Sequence, residues 1–356
     1  MRSDMAGRLY HVIDTRGFDR PLLDELCELT TTVRNIAKTV AGAQALQALL
    51  PHARAMLYFP QPSTRTFLSF NNACHILGIR TSEIRDPATS SEVKGESFDD
   101  SIRTFSSYVD VIIMRTPEAG YAARAAAQMD RIPRPVPIVN AGSGKDQHPT
   151  QALLDIYTLE RSFADRGGID GKVIAMMGDL KRGRTVRSLC GLMRNYRGVR
   201  LVLVAPAAFA MEDDVKVELR AQGIPFTETS RLADVLPEID ALYVTRIQTE
   251  WDTAEESRGM DYAQFGINLA NLPLLKHDAI IMHPLPRTMN SMSALREPDL
   301  TRHRPSELPC FWMTAESWES SSRSLSPPSS ALPRSSESSK PDFPAGRAPA
   351  FFFPPA

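Results

Sequence analysis

The sequence predicts an α/β protein built from two doubly wound parallel-sheet domains that are joined by interdomain helices. Short apolar runs typical of buried strands alternate with segments whose apolar residues recur at helical spacing. This alternation occurs twice, on either side of a long helical segment that begins at Pro149. Strands that alternate with helices favour a parallel sheet covered on both faces. We therefore expect two such domains with a ligand bound between them.

The first block opens with a helix that is predicted to start at Asp19-Arg20-Pro21, where proline suits a first turn. Apolar residues at three- and four-residue spacing continue this pattern from Phe18 to Val40. The strands predicted after it are Ala55–Phe59, Ile79–Ile84, Val109–Met114 and Pro137–Asn140. The helices predicted between them lie around residues 65–77, 97–108 and 119–129.

The second block follows the helical segment from Pro149 to about Ser162, which carries Ala152, Leu153, Ile156 and Leu159 on one side. Its predicted strands are Lys172–Met177, Arg200–Val204, Ala241–Val244 and Ala279–Met282. Its predicted helices lie at about 183–195, 212–222 and 231–237. We expect one domain over residues 1–148, a second over 149–290, and an atypical Ser/Pro-rich tail over 291–356 that is disordered.

Composition excludes several classes of function. The 356 residues carry a net charge of −1, so neither nucleic acid nor a membrane surface is expected as a partner. The cysteines contain no Cys-x-x-Cys pair and are read as reduced thiols; they are Cys27, Cys74, Cys190 and Cys310. The N-terminal residues lack an apolar leader and no run reaches the length of a membrane span, so a cytoplasmic location is expected.

Residues 59–70 form the most informative segment. A Ser-Thr-Arg-Thr run, Ser63 to Thr66, follows an apolar strand and opens a helix. Free backbone N–H groups, hydroxyls, a guanidinium and the positive end of the helix dipole together favour a phosphate site. The alternative is an ordinary helix cap with a surface arginine.

A second polar segment runs from Val139 to Asp155 and places His148 and Gln151 beside the helix start at Pro149. Its Gly-Ser-Gly-Lys core resembles a nucleotide-binding loop, but Asp146 stands where that motif needs a serine or threonine. A histidine before proline is more often structural than catalytic, so both readings of His148 stay open at this point.

Three further segments follow predicted strands, at the edge where parallel sheets bind ligands. They are Gly178–Ser188, Tyr243–Glu250 and Met282–Arg287. Arginines from separate strand ends can each clamp a carboxylate through paired hydrogen bonds, although each one alone would more often be a surface residue.

Taken together, these segments resemble the aspartate carbamoyltransferase family, from about Leu9 to Arg287. The resemblance rests on Ser-Thr-Arg-Thr, His-Pro-Thr-Gln-Ala-Leu-Leu-Asp, Gly-Asp-Leu-Lys-Arg-Gly-Arg-Thr, Thr-Arg-Ile-Gln and His-Pro-Leu-Pro-Arg. The ornithine enzymes share the first motif, but typically have His-Cys-Leu-Pro in place of the last and lack the Arg-x-Gln pair.

The resemblance implies a role for each matching residue. The phosphate of carbamoyl phosphate would be held by Ser63, Thr64, Arg65, Thr66 and Arg115. The carbamoyl group would be polarised by Arg65, Thr66 and His148, and oriented by Gln151, Pro284 and Leu285. The two carboxylates of aspartate would be bound by Arg184, Arg246 and Gln248. A neighbouring subunit would supply Ser90 and Lys94, which implies a homotrimer with shared active sites.

The implied activity is aspartate carbamoyltransferase (EC 2.1.3.2), an early step of pyrimidine biosynthesis that needs no metal or cofactor. A regulatory chain or a dihydroorotase is a possible partner. Two positions depart from the family pattern, since Phe67 stands for the usual arginine and Asn71 for the usual glutamate. We read this double change as a salt bridge lost at a subunit contact or on the helix surface.

The tail departs further, because the family's C-terminal helix has no counterpart after Arg287. This motivates an alternative function, a non-catalytic or impaired subunit with the same fold. A carbamoyltransferase acting on another amino acid is a third reading, which the arginines at 184 and 246 argue against.

Overall fold

The computed structural model describes residues 9–86, 88, 91–144, 146–246, 265–268 and 270–284. The tail predicted to be disordered lies outside these residues. So do three of the predicted site residues, Ser90, Gln248 and Leu285.

The chain begins with two helices, α1 (Arg20–Ile36) and α2 (Val40–Gln47). The predicted start of α1 is confirmed, since the Asp19 side chain accepts a hydrogen bond from the N–H of Leu22 at 3.0 Å. The helical pattern predicted to run to Val40 is wrong at its end. Thr39 takes an extended conformation and caps a new helix by accepting from the N–H of Gly42 at 3.0 Å.

The first sheet contains four parallel strands in the order β2-β1-β3-β4. They are β1 (Arg54–Tyr58), β2 (Arg80–Ile84), β3 (Val111–Thr116) and β4 (Ile138–Ser143). The helices between them are α3 (Thr64–Ile76), α4 (Phe98–Tyr108) and α5 (Tyr121–Met129). Two apolar clusters cover the two faces of this sheet, as the alternating pattern predicts.

The second sheet contains five parallel strands in the order β7-β6-β5-β8-β9. They are β5 (Val173–Met177), β6 (Arg200–Val204), β7 (Phe226–Thr229), β8 (Ala241–Val244) and β9 (Ile280–Met282). Its helices include α7 (Arg184–Leu192), α8 (Asp213–Ala221) and α9 (Leu232–Val235). The prediction missed β7, because an edge strand reading Phe-Thr-Glu-Thr has no apolar run.

Helix α6 (Pro149–Phe163) connects the two sheets. Its fully buried residues Ala152, Ile156 and Leu159 pack in one cluster with Leu23 of α1 and with β5, on one face of the second sheet. The predicted domain boundary at 148/149 falls at the N-cap of this helix, His148. Within the described part of the chain, no helix is long and apolar enough to cross a membrane.

The strand order of each sheet reverses once, between β1 and β3 in the first and between β5 and β8 in the second. Tyr58 lies beside Met114 at the first reversal, and Met177 beside Val244 at the second. Segments that leave neighbouring strands at such points diverge and leave a crevice for ligands. Three of the predicted site segments follow β1, β5 and β8, whereas the segments with His148 and with Pro284 follow β4 and β9.

Candidate active site

The N-terminus of α3 offers uncapped backbone donors. Ser63 is its N-cap residue and has an extended backbone, but its side chain makes no capping hydrogen bond. The N-cap side chains of α1, α2 and α4 all do. Helix geometry leaves the first N–H groups without an intrahelical partner, so those of Thr64, Arg65 and Thr66 are suited to an anion.

The start of α3 is anchored by aromatic packing. Phe67, 4% exposed, meets the ring of Phe59 edge-on at 5.5 Å, and the Arg85 guanidinium lies 4.2 Å from its ring centre. Phe67 is therefore part of the core beneath the first sheet and does not lie on the helix surface, which was one of the two places proposed for the lost salt bridge. Asn71 instead accepts a hydrogen bond from the Thr81 hydroxyl at 3.1 Å.

Three cationic or ionisable side chains converge on Gly142 at the end of β4. Gly142 has a φ of +111°, and a Cβ placed there would lie 2.8 Å from Nη1 of Arg115, 3.3 Å from Cζ of Arg184 and 3.3 Å from Cδ2 of His148. These side chains come from β3, from the start of α7 and from the start of α6. Glycine thus lets the backbone approach all three.

The resulting cleft carries excess positive charge. Burial, together with the nearby charges of Arg184 and Arg65, lowers the pKa of Arg115 to about 9. Burial lowers the pKa of Arg184 to about 10. Among the residues that the structure describes, neither Arg115 nor Arg184 has a carboxylate within ion-pair distance. Cations brought together in this way favour an anionic ligand.

His148 is neutral in this setting. Burial lowers the pKa of its imidazole well below the ordinary value, and Arg184 and Arg115 lower it further. The Thr150 hydroxyl lies 3.3 Å from Nδ1. When that hydroxyl donates to Nδ1, the ring proton resides on Nε2, which becomes a hydrogen-bond donor.

Arg184 crosses from the second sheet to the first. Its Nη1 donates to the carbonyl oxygen of Gly144 at 2.7 Å and to Oε1 of Gln61 at 3.3 Å. The backbone N–H of Gln61 in turn donates to the carbonyl of Arg115 at 3.3 Å. The residue predicted to bind aspartate therefore lies in the same cleft as the predicted phosphate ligands.

Gln151 is held by a buried carboxylate. Its Nε2 donates to Oδ1 of Asp155 at 2.9 Å, and the Tyr243 hydroxyl of β8 donates to Oδ2 at 2.7 Å. Asp155 and Tyr243 are both fully buried. Burial raises the pKa of the Asp155 carboxyl to about 7, although both hydrogen bonds oppose that change.

The loop after β5 approaches β8 closely. Gly178 has a φ of +116°, and a Cβ there would lie 2.2 Å from the carbonyl oxygen of Thr245. Because Thr245 also donates its N–H to Met177 at 2.7 Å, the chain leaving β8 is fixed just before Arg246. Arg246 is half-buried at this position.

The structure brings together Arg65, Arg115, His148 and Arg184, all predicted from the sequence. Pro284 is half-buried just after β9, and Lys94 is exposed at the end of a short helix, Ser91–Lys94. Five further residues take part in this arrangement without a role predicted from the sequence: Gln61, Gly142, Ser188, Asp155 and Tyr243. Gly142 belongs to the Gly-Ser-Gly-Lys stretch that was interpreted as a weak nucleotide-binding loop. The contacts of the other four residues cannot be inferred before the positions of the two sheets are known.

Family models match both halves of the chain. The carbamoyl-phosphate-binding domain of aspartate/ornithine carbamoyltransferases matches residues 10–161, and the aspartate/ornithine-binding domain of the same family matches residues 170–299. Aspartate carbamoyltransferase 1 of Pisum sativum, named as chloroplastic, is 40% identical over 79% of this chain and 70% of its own length. The aspartate carbamoyltransferase catalytic subunit of Thermococcus gammatolerans is 45% identical over 65% of this chain and 72% of its own length.

Solved structures are similar in fold. The aspartate transcarbamoylase of Trypanosoma cruzi, in complex with carbamoyl aspartate and phosphate, has a TM-score of 0.67. It is 34% identical, and the match covers 80% of this chain and 86% of that one. The M. jannaschii catalytic subunit has a TM-score of 0.69 and is 35% identical, over 82% of this chain and 90% of that one.

Fold and cleft define a two-domain α/β protein that binds anions between its domains. The matches to both family domains and to these relatives narrow that class. The chain belongs to the aspartate/ornithine carbamoyltransferase family, on its aspartate carbamoyltransferase branch.

Proposed function

We propose that the cleft around Gly142 transfers the carbamoyl group of carbamoyl phosphate to the amine of L-aspartate, giving N-carbamoyl-L-aspartate and phosphate. The observation that carries the proposal is the convergence of Arg115, Arg184 and His148 on one glycine. Both substrates are anions, and the cleft has the positive charge to bind them together. The alternative of a non-catalytic or impaired subunit is not favoured by relatives that are themselves named as enzymes.

Carbamoyl phosphate binds with its phosphate at the start of α3. The N–H groups and side chains of the Ser63-to-Thr66 run, including Arg65, surround the phosphate, and Arg115 supplies a second guanidinium. An uncapped helix terminus with two adjacent guanidinium groups supports this role. The carbamoyl end then lies toward His148 and Gln151, with the carbonyl of Pro284 and Leu285 completing its surroundings.

The reaction needs positioned donors. The neutral amine of aspartate attacks the carbamoyl carbon, the new C–N bond forms, and the C–O bond to phosphate breaks. The phosphate leaves with the bond's electron pair, and the proton lost by the amine goes to it. Charge that develops on the carbamoyl oxygen is stabilised by Arg65, Thr66 and the Nε2–H of neutral His148, and each such donor is worth ~10²–10³ in rate.

Aspartate binds through guanidinium groups on the second sheet. Arg184 and Arg246, with Gln248, hold its two carboxylates, and the position of Arg184 at the cleft supports this role. Ornithine carries a side-chain amine in place of the second carboxylate, so the same guanidinium groups would repel it.

The assembly we propose is a homotrimer in which Ser90 and Lys94 enter the active site of a neighbouring subunit. Lys94 is exposed in the single chain, which is compatible with such a contact. A regulatory chain or dihydroorotase partner and a cytoplasmic location stay predictions; the plant relatives are named as chloroplastic.

The test is formation of carbamoyl-aspartate by the purified chain from carbamoyl phosphate and L-aspartate. L-Ornithine serves as the competing acceptor, and Arg65→Ala is compared with Arg131→Ala, which removes an exposed arginine outside the cleft. We expect turnover with aspartate to fall at least 100-fold in Arg65→Ala, because this variant loses ~3 kcal/mol or more of transition-state stabilisation. Turnover should be unchanged in Arg131→Ala. Faster turnover with ornithine, or equal activity of both variants, would contradict the proposal.

A further inference from the structure

We propose that Asp155 is a positioning residue for carbamoyl transfer, which holds the Gln151 side-chain amide so that its oxygen faces the carbamoyl nitrogen. The inference rests on the proposed function and specifies which atom of Gln151 meets the substrate. Asp155 itself is one helical turn further along α6 and does not touch the substrate.

The orientation of the Gln151 amide follows from its partner. Oδ1 of Asp155 lies 2.9 Å from the Gln151 amide nitrogen. Above its pKa of about 7 the Asp155 carboxyl is ionised and can only accept hydrogen bonds, so the NH₂ end of the amide is the end that pairs with it. Because Gln151 is half-buried three residues after His148, the oxygen end remains for the cleft.

The carboxylate that makes this selection is itself fixed. Its second oxygen accepts from the Tyr243 hydroxyl at 2.7 Å, and the side chain of Thr185 on α7 lies beside that hydroxyl. Thr185 is next to Arg184, and Tyr243 lies three residues before Arg246. Asp155 thereby connects Gln151 to the two elements that carry the proposed aspartate ligands.

A purely structural contact between α6 and β8 would not require a carboxylate. Both donors to Asp155 are uncharged and no described cation pairs with it, and a fully buried carboxylate in that setting is costly to desolvate. Apolar side chains of similar volume would pack the helix against the strand without that desolvation cost. They could not, however, fix which end of the Gln151 amide faces the cleft.

This distinction matters because a carbamoyl group ends in an NH₂ that must find an acceptor. With the Gln151 oxygen toward it, the NH₂ donates a hydrogen bond; with the amide reversed, two donors would face each other. Acetyl phosphate carries a methyl group in place of the NH₂ and forms no hydrogen bond with the amide in either orientation. Asp155 therefore sets the preference for a carbamoyl group over an acetyl group.

The experiment compares two stable ligands that differ only at this position. Phosphonoacetamide ends in NH₂ and 2-oxopropylphosphonate ends in CH₃, while the phosphonate and the carbonyl are shared. Dissociation constants for both are measured by calorimetry at pH 8, where Asp155 is ionised, on the full-length chain and on Asp155→Leu, Asp155→Asn and Tyr243→Phe. The quantity of interest is the ratio of the two constants, which a general loosening of the site would leave unchanged.

We expect the wild type to prefer phosphonoacetamide, and Asp155→Leu to reduce that preference about tenfold, which is the loss of one hydrogen bond. Asp155→Asn should restore it, because the asparagine oxygen can accept from Gln151 while its NH₂ donates to the Tyr243 oxygen. Tyr243→Phe should also keep it, since the Gln151 acceptor remains. A folded Asp155→Leu variant with the wild-type ratio would overturn the inference.

A structure of the wild type with phosphonoacetamide decides the matter if Asp155→Leu does not fold. The Gln151 oxygen should lie within about 3.2 Å of the ligand nitrogen while its own nitrogen stays on Asp155; a reversed amide or no contact would refute the inference. Its failure is distinct from that of the proposed function. A wild type that makes no carbamoyl-aspartate refutes the function, whereas an active wild type with an unchanged ratio in Asp155→Leu refutes only the role of Asp155.

Discussion

Ser188 of α7 accepts a hydrogen bond from the backbone N–H of His148 at 2.9 Å and donates its own proton to Oε1 of Gln147 at 2.7 Å. The hydroxyl is fully buried and comes from the second sheet's side of the cleft. It therefore fixes the peptide that carries the imidazole. The position of the His148 backbone therefore depends on the second domain, although His148 is the N-cap of α6, the helix that connects the two sheets.

Ser188→Ala should reduce kcat about tenfold or more. The buried N–H of His148 would lose its acceptor, at a cost of about 1–3 kcal/mol, and the imidazole could shift from its place. Steady-state kinetics with both substrates checks this. Ser106→Ala, which removes a buried hydroxyl that donates to Arg103 at 2.7 Å on α4, serves as the control and should keep kcat. Equal kcat in the two variants would refute the role given to Ser188.

Gly142→Ala should weaken binding of phosphate-containing ligands. The added methyl would lie 2.8 Å from Nη1 of Arg115, so the guanidinium must move. Gly223→Ala is the matched control, because that glycine also has a positive φ, +70°, but has nothing within 4 Å of its Cβ position. Both changes should destabilise the fold by about 1 kcal/mol. Only Gly142→Ala should raise the dissociation constant of phosphonoacetamide, as measured by calorimetry.

Most of the fold could be predicted from local patterns, since the strands of parallel sheets are apolar and their helices are amphipathic. What the patterns missed depends on tertiary position. Edge strand β7 carries no apolar run, because none of its four residues is buried. Phe67 was interpreted only through the salt bridge that its substitution removes, yet it packs against Phe59 with the Arg85 guanidinium over its ring.

The candidate site divides in the same way. Arg184 could be predicted because it lies in a polar segment after a predicted strand, and Arg115 because it matches a family position. Ser188 and Asp155 could not, since each acts by holding another residue across the two sheets. A hydroxyl or carboxylate in an apolar helix acquires that role only from the packing of its neighbours.

Arg85→Ala should lower the free energy of unfolding by about 0.5–1 kcal/mol. Its guanidinium lies 4.2 Å from the ring centre of Phe67, and a cation–π contact at an exposed site stabilises a fold by about 0.5–1 kcal/mol. Chemical denaturation of the variant beside Arg131→Ala measures it. Because Phe67 is two residues from Arg65, we also expect a higher KM for carbamoyl phosphate. A loss no greater than that of Arg131→Ala would show that the stacking contributes nothing.

The buried carboxylate of Asp155 should make stability fall as the pH rises from about 4 to about 7. An aspartate in the unfolded chain titrates near its ordinary pKa of 3.8, whereas burial raises the pKa of Asp155 to about 7 in the folded chain. Between these values the folded state binds more protons than the unfolded state, so raising the pH favours unfolding, by up to about 1.4 kcal/mol per pH unit. Asp155→Asn has no such proton to lose.

Urea denaturation of both proteins at pH 5, 6, 7 and 8 measures the effect. The free energy of unfolding of the variant should rise relative to that of the wild type up to about pH 7, and the difference should then stay constant. Two other acids with raised pKa values, Asp146 and Glu160, are present in both proteins and cancel in the comparison. A difference that does not change with pH would mean that Asp155 is ionised throughout, and that its two hydrogen bonds outweigh its burial.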